Sequence, residues 1–125
     1  MKKIAIASIC AITFWAAAAS AQVRLSEIRI DQTGADTDEY VELSGPPLTS
    51  LSGLSIVVIG DGTGGCGVVE AAIALSAFSI QADGFFALRY SAGVAVLTGY
   101  DATLAGSFEN SDNLTFLLVS GNTAV

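Results

Sequence analysis

Asp31, Asp36, Asp38 and Glu39 crowd the stretch "DQTGADTDE", with Glu27 and Glu42 close on either side. Carboxylates at this density suit a hard divalent cation, and calcium draws its ligands from carboxylate and carbonyl oxygens. These four residues are the candidate calcium ligands of the chain. The frame is not that of an EF-hand. Counted from Asp31, the twelfth residue is Glu42, but the third and fifth are Thr33 and Ala35. The alternative is a solvated acidic turn. A melting midpoint unmoved by excess EDTA would exclude the calcium site.

Two further groups could do chemistry. Glu27 and Glu42 fall where neighbouring strands could set them side by side, and a close carboxylate pair can serve as acid and base. The structural alternative is preferred: Glu42 solvated, or paired with Arg24 or Arg29. The second group is "IGDGTGGCG", where Gly60, Gly62 and Gly65 spell G-x-G-x-x-G after an apolar run. Asp83 follows Gly65 by 18 residues, near the offset of a ribose-binding acid. That fingerprint needs a parallel sheet with crossover helices, and the segment after Gly67 is short for a helix and a second strand. A surface loop in which glycine permits positive φ is the simpler reading.

The missing residues narrow the chemistry further. The chain has no histidine, so neither a Ser-His-Asp triad nor an imidazole metal site can form. Its start, "MKKIAIASICAITFWAAAASAQ", has two lysines, an apolar core and a small-x-small site at Ala19-Ser20-Ala21. That is the tripartite form of a secretory signal peptide, cleaved before Gln22. An uncleaved anchor is the rival. Cys10 follows Ile9, where a lipid-modification site wants a small residue.

Residues 1–21 are thus read as signal peptide and 22–125 as one domain, large enough to bury a core. The domain keeps three arginines (Arg24, Arg29, Arg89) against twelve acids, a net charge of −9. So acidic a surface repels phosphate backbones and argues against nucleic-acid binding. After cleavage no membrane span remains. Cys66 is then the one cysteine, so no intrachain disulfide forms. The expected state is a monomer, with a Cys66-linked dimer as the alternative.

The elements that must position these groups are short apolar runs between Gly, Asp, Asn, Ser and Pro clusters. "VRLSEIRI" alternates in two phases that change near Ser26-Glu27, which predicts a β-bulge. "EYVELSG" and "LSIVVIG" are strands, and Pro46-Pro47 excludes a central strand between them. "VVEAAIALSAF" is undecided: alanine favours helix, Val-Val and the short length favour strand. "GFFALRY" and "NLTFLLVS" are strands. Seven or eight short strands without a long amphipathic helix predict an antiparallel β-sandwich. The expected core is Leu25, Ile28, Val41, Leu43, Leu54, Ile56, Val58, Phe86, Leu88, Leu114, Phe116 and Leu118.

Four segments in order, "LSEIRIDQTGADTDEYVEL", "LTSLSGLSIVVIGDG", "ADGFFALRYS" and "FENSDNLTFLLVSG", resemble the lamin-tail domain of bacterial secreted and surface proteins. The steps that carry the resemblance are Ser26-Glu27-Ile28, Glu39 to Leu43, Leu51-Ser52-Gly53-Leu54, Gly84-Phe85 and Asn110 to Leu114. The glycine-rich insert around Cys66 departs from the pattern. The resemblance implies an immunoglobulin-like sandwich and a non-catalytic module, and it supplies no catalytic residue and no cofactor. The expectation is a secreted or cell-surface binding or structural module, outside the bacterial cytoplasm, holding a protein or a polysaccharide. The alternative is an accessory domain of a secreted nuclease- or phosphatase-type enzyme whose catalytic part lies outside this chain, which the abrupt end at Val125 favours.

Overall fold

The computed structural model describes residues 22–30, 38–62, 65–90, 99–105, 108 and 113–121. The predicted signal peptide, Asp31 and Asp36 lie outside these residues. The fold is all-β. Its strands are β1 (Arg24–Arg29), β2 (Tyr40–Ser44), β3 (Leu54–Gly60), β4 (Val68–Ala74), β5 (Phe85–Tyr90), β6 (Ala102–Leu104) and β7 (Thr115–Ser120). They form a four-stranded sheet, β1-β2-β5-β6, and a three-stranded sheet, β4-β3-β7. The two pack as a sandwich around Val41, Leu43, Ile56, Val58, Ile73, Phe86 and Leu88.

The bulge expected in β1 is present. Leu25 pairs with Leu43 and Glu27 with Glu42, so Ser26 is the extra residue. Its insertion lets Leu25 and Ile28, three positions apart, share the side of Leu43 and Val41. Ile28 is nonetheless 37% exposed. It was expected in the core, but β1 is an edge strand and covers Ile28 from one side only.

The undecided segment after the glycine loop is β4, a strand antiparallel to β3. Pairing overrides the helix propensity of its alanines, because small residues fit beside the bulky central strand. Ile73 points into the core, while Ala72 and Ala74 point outward opposite Val57 and Ser55. One pairing departs from the antiparallel expectation: β6 runs parallel to β5, Leu88 opposite Ala102 and Tyr90 opposite Leu104. Asp101 anchors it, its amide donating to the Ala87 carbonyl and its carboxylate accepting the Ala87 amide, both at 2.8 Å.

One end of the sandwich is sealed by turns. The Leu48 amide donates to Ile80 O, Ile80 N to Thr49 O and Leu51 N to Phe78 O. These bonds lay residues 46–51 against 78–80. They bury Leu51, Leu75 and Ile80 completely. Gly84, at φ 92°, closes the turn that launches β5, and its amide bonds Gln81 O at 3.0 Å.

Candidate functional site

The two described members of the expected calcium set serve different partners. Asp38 forms an ion pair with Arg29, Oδ2 to Nη2 at 2.8 Å. Glu39 turns into the protein, where it is 4% exposed, and accepts the amide of Phe108 at 2.8 Å. Phe108 lies edge-on between Tyr90 and Phe116, with ring centroids 4.3 Å and 4.9 Å away. Burial, and then the charge of Glu39, push the Tyr90 phenol up from its ordinary value. Glu39 thus fastens Phe108 beside the start of β2. Among the described residues, no three or more acidic or cysteine side chains converge to hold a metal.

Glu27 and Glu42 do stand opposite each other on β1 and β2, on the outward side. Each has a partner within the protein. The Ser26 hydroxyl donates to Glu42 Oε1 at 2.7 Å, and the Tyr40 phenol donates to Glu27 Oε1. The arginines expected to pair with Glu42 are used elsewhere: Arg24 donates to Ser44 Oγ at 3.1 Å and Arg29 holds Asp38. The hydrogen bond to Glu27, helped by burial and nearby carboxylate charge, pushes the Tyr40 phenol up from 10.0 to about 12. A folded-state value above the unfolded one means stability that is present below pH 10 and lost as pH rises toward 12. Tyr40→Phe is expected to flatten that alkaline loss, read as unfolding midpoint against pH.

The outward side of the four-stranded sheet continues this polar surface. Arg89, opposite Tyr40 in the register, places its guanidinium 3.8 Å from the centre of the Tyr100 ring. Tyr40, Arg89, Tyr100, Glu27 and Glu42 thus share one face of β1, β2 and β5 and its margin. Sequence reading named the two glutamates but not the aromatic residues beside them. The strand phase of "EYVELS" carried that signal, since Tyr40 must face away from Val41.

The glycine loop is the turn of the β3–β4 hairpin. The Gly67 amide donates to Gly60 O at 2.9 Å and the Gly65 amide to Gly62 O at 3.0 Å. An acid does occupy the glycine-rich turn, and it belongs to the protein. Glu70, the extra residue where β4 slips register against β3, accepts the Gly62 amide at 2.7 Å. A Cβ at Gly60 would lie 2.4 Å from Glu70 Oε1. Two glycines of the fingerprint therefore make room for a carboxylate side chain. Asp83, the candidate ribose acid, accepts the amide of Phe85 at 3.0 Å and shapes the turn before β5. Cys66 is exposed at the hairpin tip, between Gly65 and Gly67, both at positive φ. Gly60→Ala is expected to push Glu70 off the Gly62 amide and cost about 1–2 kcal/mol, measured by denaturant unfolding.

No protein-family model matches the chain, and no curated protein or solved structure is significantly similar to it. Among the described residues, no helix is long and apolar enough to cross a membrane.

Proposed function

We propose that this chain is a secreted or cell-surface module of lamin-tail type, non-catalytic, which binds a protein or an extracellular polysaccharide on its four-stranded sheet. The ordered sequence motifs support the family reading, and a sandwich of four and three strands is compatible with an immunoglobulin-like fold. The observation that carries the non-catalytic reading is the use of the carboxylates. Asp38 holds Arg29, Glu27 takes the Tyr40 phenol and Glu42 the Ser26 hydroxyl. Glu39, Glu70, Asp83 and Asp101 each accept a backbone amide. Groups engaged in this way shape strands and turns. A catalytic acid instead needs a reacting atom within reach in a cleft.

Binding falls to the outward face around Tyr40, Arg89 and Tyr100. A flat sheet bearing aromatic rings beside hydrogen-bonding charges gives stacking and polar contacts together. The test uses the chain expressed with its own leader. The protein recovered outside the cytoplasm should have the mass of residues 22–125. Immobilised, it should retain material from cell-envelope protein or extracellular polysaccharide fractions. An Arg89→Ala, Tyr100→Ala double variant should lose that capture by about tenfold or more. Unchanged capture by the variant, or none by the parent, would overturn the reading.

A further inference from the structure

The four edges of the two sheets are not equivalent. β1 carries a bulge and three charged residues, Arg24, Glu27 and Arg29. β4 is interrupted at Glu70. β6 is three residues long. Each of these is a known way of discouraging another strand from pairing. β7, "TFLLVS", has none of them. Its six residues hold no charge and no proline, and they pair with β3 in unbroken register. Among the described residues, β3 is the one strand paired with it.

The side chains of β7 point the same way. Phe116 and Leu118 face the core yet are only partly buried. Leu117 faces outward and is 40% exposed. A strand added beside β7 would cover all three. We propose that the added strand is β7 of a second copy, giving an antiparallel dimer whose three-stranded sheets join into one of six strands.

Charge places a second copy at this flank rather than elsewhere on the surface. Residues 22–125 carry a net charge of −9, so two copies repel over most of their surface. β7 is uncharged, and β1, which approaches it from the other sheet, bears two of the three arginines of that segment. This flank is where an acidic protein meets itself with least repulsion. The sequence of β7 is also self-complementary. A two-fold axis through Leu117 sets Leu117 opposite Leu117, Phe116 opposite Leu118 and Thr115 opposite Val119. Every pair then shares a face, as antiparallel register demands. One strand pair is a small interface, so the dimer is expected to be weak and reversible.

The test is sedimentation velocity over a concentration series, in a Cys66→Ser background so that no disulfide imitates the contact. A reversible monomer–dimer equilibrium is expected. Leu117→Lys sets two like charges face to face and should leave monomer at every concentration, with an unchanged circular dichroism spectrum. Leu117→Gln serves the same end if the lysine variant does not fold. Val69→Lys, at a residue of similar exposure (39%) on the opposite edge strand, should leave the dimer intact. Monomer throughout in the parent, assembly of indefinite size, a dimer that survives Leu117→Lys, or a dimer lost in Val69→Lys would each overturn the proposal.

Discussion

Phe86→Ala is expected to lower the unfolding free energy by about 3–5 kcal/mol, the range for truncating a buried phenylalanine. Phe86 is 1% exposed and lies on the inner face of β5, opposite Leu43. Its ring stacks at a tilt on Phe78, centroids 5.0 Å apart. It therefore joins the central strands to the turn layer that closes one end. Domains of this size are stable by only about 5–15 kcal/mol, so much of the margin goes with this ring. Phe85, the adjacent residue, is 45% exposed, and Phe85→Ala should shift the midpoint little. Equal losses from the two variants in a denaturant titration would contradict the strand phase.

The second large effect concerns a polar group. Glu39→Ala should cost about 2–3 kcal/mol at neutral pH. It removes a charge-assisted hydrogen bond and leaves the buried Phe108 amide without that acceptor. The loss should appear as a lower unfolding midpoint and as changed near-ultraviolet dichroism from Tyr90, whose ring contacts Phe108. Glu39→Gln keeps an acceptor oxygen at the same reach and should recover most of the stability. If alanine and glutamine behave alike, the Phe108 amide does not depend on this side chain.

Glu39 also marks where sequence reading ran out. Composition grouped it with Asp31, Asp36 and Asp38 as a candidate calcium ligand, with a solvated turn as the alternative. Its partner lies 69 residues away, and no local pattern announces such a pairing. The features that were legible have a short period or a local cause. The phase change at Ser26-Glu27 exposed the bulge, and alternation in "YVELS" and "FFALRY" marked Val41, Leu43, Phe86 and Leu88 as core. Leu51, Leu75 and Ile80, all fully buried, escaped because they sit in turns, where no periodicity distinguishes an inward residue. β4 stayed ambiguous because alanine suits a helix and also fits beside a bulky strand. The glycine spacing drew attention to a real feature for another reason, since Gly60 and Gly62 leave room for the Glu70 carboxylate. Tyr40 and Tyr100 could not be joined into a surface until β2 and β5 were known to be neighbours.

The position of β7 has a kinetic consequence. Leu54 on β3 pairs with Ser120, so the chain must close a long loop before β3 gains its second neighbour. The β3–β4 hairpin closes over a few residues and can form early. Until Thr115–Ser120 arrive, that hairpin keeps one backbone edge of β3 unpaired. Docking of this strand completes the core late, and a topology of this kind folds in milliseconds to seconds rather than microseconds. During that interval the chain stays unlocked, and a holding chaperone would find an unpaired edge to cover.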